Sequence, residues 1–118
     1  MFQSSKDYEE YLSLIVERLK TIRPYKVILI GSYASGNTHV DSDIDLIVVT
    51  SDDYFPKSYK EKSDIYLRVS NILTDLVRKM PIDLIVYTKP MYDRFNELGS
   101  LFSKEVLQKG IVLYEAGN

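Results

Sequence analysis

Asp43 and Asp45 flank Ile44 at the head of an apolar run covering residues 44–50, and that alternation constrains the fold more than any other stretch of the chain. Successive side chains of a strand point to opposite faces, so the two carboxylates share one face while Ile44 and Leu46 turn into a core. Ten residues separate this pair from Gly31-Ser32, which closes a second short apolar run at 25–30. Two carboxylates held side by side repel each other unless a cation sits between them or one takes up a proton. A hard divalent ion such as Mg²⁺ is the simplest occupant, because it accepts a few carboxylate oxygens and fills its other positions with water and phosphate. A phosphate-sized turn beside such a pair implies nucleotide-handling metal chemistry.

Composition narrows the setting. A chain of 118 residues accommodates one domain with one core, spanning 1–118, and leaves no room for a separate substrate domain. The net charge of −2 gives no general attraction to nucleic acid or to an anionic membrane, so direct nucleic-acid binding is not expected. There is no cysteine, which excludes disulfides and thiolate metal sites. No apolar run approaches the roughly 20 residues that span a bilayer, and MFQSSKDYEEYL lacks the apolar core of a secretion signal. A cytoplasmic enzyme fits these limits.

The hydrophobic pattern predicts the order of elements. Ser4 and Asp7 form an S-x-x-D helix start, and Tyr8, Tyr11, Leu12, Ile15, Val16 and Leu19 recur at helical spacing up to about Thr21. Pro24 ends that helix and residues 25–30 read as the first strand. Residues 32–36 read as a helical turn, 37–42 as a polar loop and 44–50 as the second strand. The polar stretch 51–62, with Pro56, reads as an exposed loop. From Asp64 onward, Ile65, Val69, Ile72, Leu73, Leu76, Val77 and Met80 make a helical stripe, and Pro81 opens a third strand at 82–87. One helix is expected from about Pro90 and another from Ser100, with Gly110 as its cap, then a short strand at 111–114. No internal repeat and no low-complexity tract is apparent.

Topology then brings the chemistry together. A strand–helix–strand crossover makes the second and third strands parallel. Asp83, second in the third strand, then stands at the same sheet end as Asp43 and Asp45. The short link from strand one to strand two favours an antiparallel pair, which sets Gly31-Ser32 beside the same end. The predicted class is α/β (α+β), a small mixed sheet flanked by helices.

At these residues the chain resembles the minimal nucleotidyltransferases, the small members of the DNA polymerase β-like superfamily. The shared elements are Gly31-Ser32, Asp43-x-Asp45 in SDIDLIVV and Asp83 in PIDLIVY, with Ala34, Gly36 and the tail FSKEVLQKGIVLYE in support. The resemblance implies a polymerase β-like nucleotidyltransferase fold and a Mg²⁺-dependent transfer of AMP from ATP to a hydroxyl. It implies that Asp43 and Asp45 hold two Mg²⁺ ions, that Asp83 completes the site of the ion at the acceptor hydroxyl, and that Gly31 and Ser32 receive phosphate oxygens. Many relatives carry Arg where this chain has Ser35, a lost cation beside the triphosphate. Arg78 and Lys79 are a candidate compensation, although a helix C-terminus favours cations on its own account.

Small relatives are often antitoxins paired with a HEPN-family RNase toxin, and some transfer AMP to a tyrosine of that toxin. The resemblance therefore points to a HEPN-toxin partner, a hetero-oligomer and protein AMPylation. The alternatives are a non-catalytic, nucleotide-binding antitoxin and transfer to a small molecule. The remaining polar residues read as structural. Asp41 and His39 are loop groups, and Lys57, Lys60 and Lys62 form a solvated patch beyond the far end of strand two. Tyr8 and Tyr11 belong to the helix core face, and no tyrosine is assigned a catalytic role.

Overall fold

The computed structural model describes residues 5–31 and 43–117. Ser4, the expected helical turn at 32–36 and the loop at 37–42 lie outside the described residues, and with them Ser32, Ser35, His39 and Asp41.

The first helix, α1 (Ser5–Lys20), buries Tyr11, Ile15 and Leu19 on one stripe, as the helical spacing predicts. The Tyr11 hydroxyl donates to the carbonyls of Leu76 and Met80 and so pins α1 across the chain. Arg23, at φ 51°, turns the backbone before Pro24, and β1 (Lys26–Ile30) follows. It pairs antiparallel with β2 (Ile44–Val49), with Ile30 opposite Asp45.

Residues 51–62 depart from the expected loop. An α-helix, α2 (Tyr59–Ser70), starts inside that stretch, with the Ser58 side chain accepting from the Glu61 N–H at 3.1 Å. Lys60 and Lys62 therefore stand on its first turn. The cap and an exposed first turn build the helix before the apolar stripe begins, which is why periodicity misses its start. The predicted continuous helix to Met80 is also interrupted, by a 3₁₀ turn at Asn71–Leu73 before the short α3 (Thr74–Val77). Here Ser70 Oγ bonds the Leu67 carbonyl and Thr74 Oγ1 the Asn71 carbonyl at 3.1 Å, hydroxyl bonds of the kind that bend helices. Burial still follows the stripe through Ile65, Val69, Leu73, Leu76 and Met80.

The third strand, β3 (Ile82–Tyr87), runs parallel to β2 as expected. After it come α4 (Lys89–Leu98), capped by Thr88, and α5 (Leu101–Lys109), capped by Ser100. Gly110 ends α5, its N–H bonding the Val106 carbonyl at 2.8 Å. A Cβ there would lie 2.5 Å from that same oxygen, so the tight exit needs glycine. The last strand, β4 (Ile111–Glu115), pairs antiparallel with β1.

The sheet order is β3-β2-β1-β4, and each face carries its own core. Val27, Leu29, Ile44, Leu46 and Val48 pack against α1 and the α2–α3 segment. Ile28, Ile30, Ile47 and Val49 pack against Tyr92 of α4 and Val106 of α5. This is a mixed sheet with helices on both faces.

Candidate active site

The pentapeptide IDLIV occurs in both parallel strands, at 44–48 and 82–86, a short repeat that a search for larger repeats passes over. The register pairs the two copies residue for residue, so Asp45 stands opposite Asp83. Continuing across the sheet, Ile30 stands opposite Asp45 and Leu29 opposite Ile111. One row of backbone therefore joins the end of β1 to both carboxylates, and all three expected acids lie at that sheet end.

The side chains are not equivalent. Asp45 is half-buried, while Asp43 and Asp83 are exposed. Burial pushes the Asp45 carboxyl up to about 6, helped by its hydrogen bond with Asp83 and by the charges of Asp83 and Asp43. All these influences act in one direction, so the pair carries repulsion that a proton or a bound cation relieves. Among the described residues no three His, Cys, Asp or Glu side chains are gathered as a ready metal cluster. The contact is between Asp45 and Asp83, with Asp43 felt through its charge.

Gly31 shapes the other wall. Its φ of +78° belongs to the left-handed region, and a Cβ on it would fall 2.2 Å from Asp45 Oδ2. Glycine here serves both the turn and the close approach of the carboxylate.

Asp45, Asp83 and Gly31 open into a cavity of about 360 Å³ whose far wall is α5. Phe102, Glu105, Val106 and Lys109 of α5 line it. Their spacing of i, i+3, i+4 and i+7 is one helix face. These residues escape the sequence reading because their placement depends on β4 folding back beside β1. The amphipathic pattern in FSKEVLQK is the available signal. Phe102 meets Phe95 edge-on at 5.5 Å, and Phe95 in turn lies 5.3 Å from Tyr87, so an aromatic cluster backs this wall.

Arg78 falls elsewhere. It lines a second cavity of about 410 Å³ with Tyr66, Val77, Ile82 and Leu84. Ile82 and Leu84 alternate with Asp83 along β3, so this cavity opens on the opposite face of the sheet. That position leaves Arg78 unsuited to replace the missing arginine.

The donor set suits a hard divalent ion. Two carboxylates in contact offer oxygen ligands, their repulsion favours a cation, and the open cavity has room for water and phosphate. Asp45 and Asp83 would hold such an ion, with Asp43 two residues before Asp45.

A family model described as nucleotidyltransferase domain matches residues 12–113. A comparison with curated proteins gives no significant match. Among solved structures, the chain is similar to one from a toxin-antitoxin complex with AMP-PNP, at 19% identity over 89% of this chain and 73% of that chain, with a TM-score of 0.56. It is similar also to one from the structure of tri-AMPylated Shewanella oneidensis HEPN toxin in complex with MNT antitoxin. That match has 17% identity over 92% of this chain and 72% of that one, with a TM-score of 0.52. At such identities the likeness establishes a shared fold.

Proposed function

The chain belongs to the nucleotidyltransferase domain family, and from that footing we propose that it transfers AMP from ATP to a tyrosine hydroxyl of a partner HEPN-family toxin. The observation that carries the reading is the in-register contact of Asp45 with Asp83 at a cavity walled by Gly31. A carboxylate pair crowded against a glycine turn has little purpose in a purely structural sheet. The similarity to chains from an AMP-PNP complex and from a complex of an AMPylated HEPN toxin supports the choice of nucleotide and partner.

In this mechanism the acceptor oxygen attacks the α-phosphorus of ATP and the bond to the β-phosphate bridging oxygen breaks. Pyrophosphate leaves with that electron pair, and the acceptor's proton passes to Asp83. Asp43 and Asp45, with Asp83, would hold two Mg²⁺ ions, which would supply charge stabilisation to an in-line displacement when bound. Gly31 and Ser32 receive phosphate oxygens on backbone N–H groups. Asp83 lines the cavity and is exposed, so an acceptor borne on a protein can reach it.

A second reading, a nucleotide-binding antitoxin without catalysis, draws on the exposed position of Asp43 and the absence of a three-acid cluster among the described residues. One experiment separates the two. Wild type and the Asp43→Asn/Asp45→Asn double variant are incubated in source lysate with Mg²⁺ and ATP labelled at the α-phosphate. Transfer predicts a labelled protein band with wild type alone, absent when the label is at the γ-phosphate. No band with wild type, despite ATP binding by titration, overturns transfer to a protein and leaves the non-catalytic antitoxin and transfer to a small molecule.

A further inference from the structure

The cavity has a polarity that the carboxylates alone do not explain. Among the described residues that line it, Lys109 is the one cation, and it makes no ion pair among them. Phe102 stands on the same face of α5, seven residues earlier, which is about 10 Å along the helix axis. The sheet fixes which end of α5 meets the acids. Leu29 pairs with Ile111 and Ile30 with Asp45, so Gly110 arrives beside Ile30, two strand spacings of about 4.8 Å from Asp83's neighbour Asp45. Lys109 therefore belongs to the carboxylate end of the cavity and Phe102 to the apolar end, against Phe95.

We propose that α5 is the bed of the nucleotide, with Lys109 gripping the triphosphate and Phe102 carrying the base. The proposal rests on the nucleotidyl-transfer reading and deepens it. A lysine ammonium facing phosphate supplies the cation that Ser35 lacks, and it does so from the C-terminal segment. It also neutralises charge on the departing pyrophosphate. Lys109 lines the same cavity as Asp45 and Asp83 and would meet a triphosphate from the α5 side. Phe102 offers a ring already held edge-on by Phe95, and stacking on such a ring tolerates any base. The cation at a helix C-terminus has a bland role as well, through the helix dipole. That role affects stability and leaves ligand affinity untouched, so the two are separable by measurement.

The test is calorimetric titration of the full chain with ATP, AMP and inorganic tripolyphosphate, each with Mg²⁺, beside thermal melts. Lys109→Met keeps the stem and removes the charge. It should weaken ATP and tripolyphosphate by about tenfold, the scale of one charged hydrogen bond, and change AMP by less than twofold. Phe102→Ala should weaken ATP and AMP by about fivefold or more and leave tripolyphosphate unchanged. Lys104→Met, on the same helix but outside the cavity lining, should leave all three unchanged. Wild-type affinity for ATP in Lys109→Met overturns the proposal while nucleotide binding stands. An equal loss in Lys104→Met also overturns it, by assigning the effect to net charge. A folded wild type that binds neither ATP nor tripolyphosphate overturns the nucleotide reading itself, and this inference with it.

Discussion

The two faces of the sheet are built from the same strands and do different work. On the face of α1 and α2, the even positions of β2 give Ile44, Leu46 and Val48, all without solvent exposure. On the face of α4 and α5, the odd positions give Asp45, then Ile47 and Val49. The second face starts with charge and only then becomes apolar. Its cover follows suit, since α5 buries Val106 but holds Phe102, Glu105 and Lys109 at a cavity. One face holds the fold; the other gives up packing at one end to leave a site. The difference implies that stability and activity can be damaged separately by substitutions one residue apart.

The sharpest way to break that comparison is to change Asp45 and Leu46 in turn. Leu46→Ala empties a fully buried position, which costs about 2–5 kcal/mol. For a domain of this size each kcal/mol lowers the melting temperature by about 4 °C. A fall of about 8–20 °C is therefore expected. Asp45→Asn removes a carboxylate whose neighbours oppose its charge, so its melting temperature in a chelator should equal or exceed wild type. AMP transfer should drop by at least about a hundredfold, the usual scale for losing one electrostatic group of a catalytic site. Circular-dichroism melts and the labelling assay read both. Loss of stability in Asp45→Asn would show that the two faces are not separable.

A smaller effect is expected at Gly31, which follows β1 and abuts Asp45. Gly31→Ala forces a Cβ into the left-handed region, which costs about 1–2 kcal/mol, and drives it into the Asp45 carboxylate. Both properties should therefore suffer together. We expect a fall of about 4–8 °C in melting temperature and a marked loss of transfer. An unchanged melting temperature with intact transfer would mean that the turn relaxes at no cost and that the close approach to Asp45 is dispensable.

Much of the arrangement is legible in the residues themselves. β2 and β3 follow from β-branched runs bounded by polar segments, and their common IDLIV text fixes the register that joins Asp45 to Asp83. The antiparallel β1–β2 pair follows from a short connection. What is not legible depends on distant parts of the chain. Tyr59 opens a helix because Ser58 caps it, although that turn has no apolar stripe to announce it. Arg78 stands five residues before the β3 carboxylate in sequence yet belongs to the opposite face, and only the packing side of the preceding helix decides that. Lys109 reaches the site through the β4–β1 pairing, a contact more than 70 residues apart in sequence. The roles of Ser32 and Ser35 fall outside the described residues.

The mildest test concerns how the structural face is tied together. Arg18 of α1 grips Asp75 of α3 with two bonds, at 2.6 and 2.8 Å, and also donates to the Ile72 carbonyl at 3.2 Å. The guanidinium lowers the Asp75 carboxyl to about 2 from its ordinary 3.8. A lowered carboxyl pKa contributes stability that is present above 3.8 and is lost as the pH falls toward 2. Wild type should therefore lose this contribution between about pH 4 and pH 2, whereas Asp75→Asn should lack that part of the acid slope. The pair is exposed, so the effect is small and should shrink further in 1 M salt. Transfer at neutral pH should be unchanged in Asp75→Asn, because the pair ties helices on the face opposite the cavity. Denaturation midpoints of wild type and variant, measured at pH 2, 3 and 5, decide the matter. Equal acid slopes would show that the Arg18–Asp75 pair adds nothing to the link between α1 and α3, which then rests on apolar packing and the Tyr11 hydrogen bonds, and a loss of transfer at neutral pH would show that the structural face is coupled to the site.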